Sequence, residues 1–345
     1  MKKYKVLIVD DSAFMRKGIS MVVEKSDEFE IIGVARNGKE AVEKVQSLRP
    51  DVVTMDIEMP EMNGIDALKQ IMNQCPTPVV MLSALTDDGT KASMEALEIG
   101  AVDFFLKSNL LNNMGDLSIV QDFLLRLKTA CQANIKKKPV SIHQTPLFSP
   151  VTSGKYECLM IGSSTGGPSA LQKVLITFPE NFPVPVVVAQ HMPPGFTKAF
   201  AERLNKVCAL TVKEAVNGEE LKAGNVYIAP AGFQTTVSLQ RGKSIITVHE
   251  TYPVEALYAP SVDITLESVA SCYKEKLVTV ILTGMGNDGT KGCQHAKRYK
   301  GYVLTESEET CVVYGMPKSV VEAGLSDSKQ PIHQMGEAIL RLFGK

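Results

Sequence analysis

The stretch Lys5-Val6-Leu7-Ile8-Val9-Asp10-Asp11-Ser12 decides how the first third of the chain folds. Aliphatic side chains run without polar alternation straight into two aspartates and a serine. An unbroken apolar run of that length reads as a strand buried on both faces, the habit of a parallel sheet. The acidic pair stops the strand, and the serine supplies an N-cap for an amphipathic stretch over 13–26.

The same unit recurs downstream. Strands are predicted at 30–34, 52–55, 79–82 and 103–106, with helical patterns at 38–48, 64–73, 89–99 and 117–134. Regularly spaced βα units predict an α/β domain with a doubly wound parallel sheet, whose functional groups collect beyond the carboxyl ends of the strands. From 135 to 154 the chain is rich in Lys, Pro, Ser and Thr and lacks periodicity, which reads as a linker. Beyond it the pattern restarts, with strands at 158–161, 184–189, 226–229, 245–248, 277–282 and 302–304 and helices at 169–178, 197–205, 262–272 and 290–300. The glycine-punctuated interval 211–250 predicts a β-hairpin inserted into this second α/β domain.

Composition narrows the function. A chain of 345 residues accommodates about two domains. Its 37 basic and 38 acidic residues leave no field for a sequence-independent grip on nucleic acid or anionic membrane. The leading apolar run is stopped by Asp10 and Asp11 well short of a signal-peptide core, and no run approaches the roughly 18 apolar residues of a membrane span. The seven cysteines include no C-x-x-C pair, so neither a disulfide framework nor a zinc ribbon is indicated. A cytoplasmic location without membrane insertion is expected.

Two groups of residues carry chemistry. Asp10 and Asp11 follow the first strand, Asp56 the third, Ser83 the fourth, and Lys107 closes the fifth. Convergent carboxylates repel unless a hard divalent cation such as Mg²⁺ joins them. Asp56 can then attack a phosphoryl donor while Lys107 and Ser83 bind the transferred oxygens. On these residues, 1 to about 125 resembles the receiver domain of two-component response regulators. The resemblance implies a flavodoxin-like fold, Asp56 as phospho-acceptor, Asp10, Asp11 and Asp56 as magnesium ligands, and Ser83, Lys107 and Phe104 as phosphate-sensing residues. Ser108 stands where that family usually has proline.

In the second half, Gly162-Ser163-Ser164-Thr165-Gly166 follows a strand and precedes a helix, the context of a nucleophile elbow. Of the five histidines, only His191 and His249 fall at strand ends, and His191 follows the more apolar strand. Asp288 lies in Thr283-Gly284-Met285-Gly286-Asn287-Asp288-Gly289, which also matches the dinucleotide fingerprint G-x-G-x-x-G. An aspartate within that loop opposes a pyrophosphate, and the loop falls late in its domain, so a Ser-His-Asp arrangement is the better reading.

With Gln190-His191-Met192-Pro193, Pro260-Ser261-Val262-Asp263 and Val312-Val313-Tyr314-Gly315-Met316-Pro317, these segments resemble the chemotaxis protein-glutamate methylesterases, the CheB family. The resemblance implies Ser164 as nucleophile, His191 as base, Asp288 as its partner, and Thr165 and Met285 lining the oxyanion position, with no cofactor for hydrolysis. It implies methyl-accepting chemotaxis receptors as substrate, demethylated with release of methanol and deamidated at glutamines, and a chemotaxis histidine kinase as phosphoryl donor. The expected layout is a receiver over 1–125, a helix end and linker over 126–155 and a methylesterase domain over 156–345, with phosphorylation of Asp56 opening the catalytic cleft. A catalytically inert adaptor of the same fold is the alternative. Ala231, Gln234 and Ala259 depart from the family pattern, on what the resemblance makes the substrate side.

Overall fold

The computed structural model describes residues 3–84, 86–112, 116–135, 154–254 and 256–344. The linker core with Lys136, Lys137, Lys138 and His143 lies outside them. The chain divides into two compact units, 1–137 and 138–345.

The first unit is built from β1 (Tyr4–Val9), α1 (Ala13–Val23), β2 (Phe29–Ala35), α2 (Gly38–Leu48), β3 (Val52–Asp56), α3 (Gly64–Gln74), β4 (Val79–Ser83), α4 (Asp87–Ile99), β5 (Asp103–Leu106), α5 (Lys107–Asn112) and α6 (Leu117–Cys131). Its parallel sheet has the order β2-β1-β3-β4-β5. Val6 to Val9 and every residue of β3, β4 and β5 are buried, as an all-parallel sheet covered on both faces requires. Ser12 caps α1 through a hydrogen bond from Met15 N. The strand order reverses between β1 and β3, so the loops after these two strands face each other across the switch point. The short helix α5, which begins at Lys107 and includes Ser108, is not evident in the sequence pattern.

The second unit comprises β6 (Cys158–Ser163), α7 (Gly167–Leu175), β7 (Val186–Gln190), α8 (Phe196–Val207), β8 (Thr211–Glu214), β9 (Asn225–Ile228), β10 (Gln234–Gln240), β11 (Lys243–His249), α9 (Val262–Tyr273), β12 (Leu277–Ile281), α10 (Thr290–Arg298), β13 (Tyr302–Glu306), α11 (Met316–Glu322), β14 (Ser328–Gln330) and α12 (Ile332–Phe343). Its main sheet is also parallel, in the order β14-β13-β12-β6-β7-β9-β8. The sequence places the hairpin anywhere in 211–250; only β10 and β11 form it, while β8 and β9 extend the main sheet. Val237 and Ile246 of the hairpin pack with Val262, Leu266 and Val269 of α9 in one apolar core, which explains why the ribbon stands apart from the sheet edge.

The central strand β6 is the switch point of this sheet. From it the chain runs outward through β7 on one side and later through β12 on the other. The loops after β12, β6 and β7 therefore sit side by side at one carboxyl edge.

Candidate functional site

At the edge of the first sheet, Asp10 and Asp56 are buried and Asp11 is exposed, with one oxygen of each carboxyl within 4.8 Å of the others. Lys107 Nζ lies 3.0 Å from Asp10 Oδ2 and 2.6 Å from Asp56 Oδ2. Burial pushes the Asp56 carboxyl up to about 6; Lys107 opposes this, and the charge of Asp10 adds to it. Crowded oxygen ligands of this kind fit a hard divalent cation such as Mg²⁺. Ser83 ends β4, one residue past the strand partner of Asp56, and its hydroxyl donates to Ala84 O and Gly89 O at 3.1 and 3.2 Å; Phe104 is buried on β5.

The raised Asp56 has a consequence for stability. A carboxyl with a folded-state pKa of about 6 against 3.8 ordinarily binds its proton more tightly in the folded receiver, so stability falls as pH rises through that window. Above it, the ionised side chain costs about 3 kcal/mol. Asp56→Asn is expected to raise the melting temperature of the receiver at pH 7.5 in a chelator, and by less as pH approaches 4. A variant that melts below wild type at pH 7.5 contradicts this account.

In the second unit, β6 delivers Ser164, β7 delivers His191 and the loop after β12 delivers Asp288, all buried. Gly166 turns the chain into α7 with φ 77°, a left-handed conformation that glycine adopts without strain. Ser164 is held through its backbone: its N–H donates to Thr283 O at 3.1 Å, and its carbonyl accepts from Gly167 N at 2.8 Å. A Cβ on Gly284 would lie 2.9 Å from Ser164 Cβ, so this glycine is what lets the loop after β12 approach the serine. Gly284 therefore has a packing reason, and the G-x-G-x-x-G resemblance at 284–289 needs no nucleotide.

His191 Nε2 is 2.8 Å from Asp288 Oδ2. Its other ring nitrogen, Nδ1, is buried without a hydrogen-bond partner among the described residues. Asp288 also accepts from Val262 N at 2.7 Å, Asp263 N at 2.9 Å, Ser261 Oγ at 3.0 Å and Gly289 N at 3.1 Å. Burial works to raise this carboxyl, but the His191 bond and the donated N–H groups outweigh it and hold it below the ordinary aspartate range. Such a carboxylate fixes the ring and stabilises an imidazolium. Thr165 and Met285 are buried on the two loops that meet at Ser164; Thr165 O accepts from Thr283 Oγ1 at 3.0 Å.

The other histidines among the described residues lie elsewhere. His249 bonds Thr236 Oγ1 across the hairpin at 2.7 Å, His295 on α10 bonds Ser271 Oγ at 3.2 Å, and His333 is on α12.

Several side chains without a role in the sequence reading build the frame. Gln190 is 1% exposed; its Nε2 donates to Ser164 O and His191 O, both at 2.9 Å, and its Oε1 accepts from Ser163 Oγ at 2.6 Å. A single amide thus ties the serine loop to the histidine loop. The signal for it was a polar residue closing the apolar run of β7. Buried Glu306, at the end of β13, accepts from Thr283 N at 2.9 Å and steadies the loop after β12. Tyr258 stacks on the His191 ring, with centroids 4.0 Å apart and planes at 20°.

Gln234 also belongs to this frame. It is buried, donates to Tyr258 O at 2.7 Å and accepts from Ser261 N at 2.8 Å, so it holds the segment that carries both Tyr258 and Ser261. Its side chain turns inward, against the expectation of a substrate-side contact. Ala231 is buried as well, with its N–H bonded to Thr197 Oγ1 at 3.0 Å, and Ala259 O accepts from Gly232 N at 2.9 Å.

Family models match both units: a response regulator receiver domain over residues 6–116 and a CheB methylesterase over residues 159–339. A protein-glutamate methylesterase/protein-glutamine glutaminase of Thermotoga maritima is 45% identical over 341 residues, covering 98% of each chain. One of the same name from Archaeoglobus fulgidus is 43% identical, again covering 98% of each chain. The crystal structure of the Thermotoga maritima CheB methylesterase catalytic domain matches 54% of this chain and 98% of its own, at 49% identity and a TM-score of 0.53. With both units matched in order and relatives aligned almost end to end, the chain belongs to the CheB family of protein-glutamate methylesterases/protein-glutamine glutaminases, a receiver domain followed by a methylesterase domain.

Proposed function

We propose that this chain is a phosphorylation-activated serine hydrolase that removes methyl esters from glutamate side chains of methyl-accepting chemotaxis receptors. By the same acyl chemistry it deamidates receptor glutamines. The observation that carries the reading is the bond from His191 Nε2 to Asp288 Oδ2, which leaves Nδ1 of the same ring without a partner. Ser164 Oγ attacks the ester carbonyl and His191 Nδ1 takes its proton. Backbone N–H groups at Thr165 and Met285 receive the oxyanion. The imidazolium, held by Asp288, returns the proton to the departing methoxide, and methanol leaves. Water, activated by the same ring, then releases the glutamate carboxylate.

In the receiver, Asp56 accepts the phosphoryl group from a chemotaxis histidine kinase in the cytoplasm. Asp10, Asp11 and Asp56 would hold a Mg²⁺ ion, which would supply positive charge against the gathering carboxylate and phosphoryl oxygens, and Lys107 binds the transferred oxygens, with Ser83 and Phe104 as sensing residues. No described helix is long and apolar enough to cross a membrane. The domain layout we propose is a receiver over 1–125, a helix end and linker over 126–155 and a catalytic domain over 156–345.

Methanol release from methylated receptor membranes tests the reading. The rate is expected to rise several-fold when the full chain is given Mg²⁺ and a small phosphoryl donor, and Asp56→Asn should keep the basal rate without the rise. A chain that releases no methanol in either state is a phosphorylation-dependent adaptor and not an enzyme.

A further inference from the structure

Asp288 is not alone behind His191. Asp263, in the first turn of α9, accepts at Oδ1 from Gly289 N and Gly292 N, each at 2.8 Å. Its own N–H donates to Asp288 Oδ1 at 2.9 Å. The Gly289 N–H also lies 3.1 Å from Asp288 Oδ1, so one hydrogen serves both carboxyls. Two oxygens that accept from the same N–H are held side by side, and each carboxyl feels the charge of the other.

We propose that Asp263 is a positioning residue for ester hydrolysis that acts through Asp288, pinning the loop after β12 by its glycine N–H bonds and adding a second carboxylate charge behind His191. The inference rests on the reading of Ser164, His191 and Asp288 as the reacting groups. Burial and the neighbouring Asp288 charge push Asp263 up to about 6, while its bonds from Gly289 and Gly292 oppose the shift. Asp263 is therefore charged at pH 7 to 8 and takes up a proton as the medium turns mildly acid. The titratable groups around it are Asp288 on the loop after β12, His191 beyond that, and the Cys293 thiol on α10, which burial keeps protonated.

The sign follows from the charge. A negative Asp263 favours the imidazolium over the free imidazole, so it delays the appearance of the catalytic base as pH rises. Without that charge the base is free at lower pH. A purely structural role, as a first-turn acid of α9 or an anchor for the α10 N-terminus, would scale the rate equally at every pH.

Asp263→Asn keeps an oxygen for Gly289 and Gly292 and removes only the charge. In the full chain, the acid limb of kcat/KM for methanol release is expected to move down by about half to one pH unit. Asp263→Ser, also neutral and with a hydroxyl acceptor, should move it the same way, and so should the pH dependence of Ser164 labelling by a serine-directed phosphonate. A limb that stays in place or moves upward in both variants overturns the proposal, whatever the plateau rate. Ser164→Ala separates this failure from failure of the underlying reading: if that variant still turns over, the reacting groups are misassigned; if it is inert and the limb has not moved, only the role of Asp263 is lost.

Discussion

Ser164→Ala is expected to lower methanol release by at least ~10⁴-fold while leaving the fold and its melting temperature nearly unchanged. The two halves of this result have separate causes. The bonds that hold position 164 run through its backbone, to Thr283, Gly167 and Gln190, and alanine keeps all of them. What alanine lacks is the oxygen that the proposed reaction acylates, and neither His191 nor Asp288 can supply it. Labelling by a serine-directed phosphonate should disappear in the same variant. Turnover within tenfold of wild type would remove Ser164 from the reaction.

Asp288→Asn should lose activity nearly as severely, by about 10³-fold to 10⁴-fold in kcat/KM, and unlike the serine variant it should also lose stability, by about 3 kcal/mol. Oδ2 accepts from both His191 Nε2 and Val262 N, and Oδ1 from Ser261 Oγ, Asp263 N and Gly289 N. An amide has one oxygen and one NH₂, so either orientation of asparagine sets its NH₂ against N–H donors. With the NH₂ toward His191, the ring loses the acceptor that fixes its tautomer. With the NH₂ toward α9, Ser261 Oγ and Asp263 N lose theirs, and Gly289 N is left with Asp263 alone. Kinetics together with thermal unfolding of the same preparation check both parts, and a variant as stable as wild type would show that this carboxylate does not organise the loop.

The two sites differ in how far they can be read from the chain. Asp10, Asp56 and Lys107 were legible because each is the first polar group after a strand, and a parallel sheet brings strand ends to one edge whatever the helices between them do. Ser164, His191 and Asp288 were legible from their loops: a G-x-S-x-G elbow, a histidine just past an apolar strand, and an aspartate in a glycine-rich loop after another. Local reading marks Gln190 only as a polar residue closing β7 and does not reveal that it reaches two carbonyls and a hydroxyl on adjacent loops. Nor does it find Asp263, which precedes Asp288 by 25 residues and meets it only because α9 packs against α10. The hairpin is a third case: 211–250 reads uniformly as short strands, and alternation along a strand carries no mark of which sheet it joins.

By itself, the sequence determined the α/β class, the repetition of βα units in two halves, and the identity of the groups at the strand ends. Those features depend on periodicity and punctuation within a few residues, which water enforces locally by driving apolar faces inward. Tertiary structure alone decided which carboxyl oxygens face which N–H groups, which histidine meets an aspartate, and which nitrogen of His191 is left without a partner. These depend on strand order and helix packing, where residues far apart in the chain come within hydrogen-bond distance and a shift of one ångström separates a bond from none.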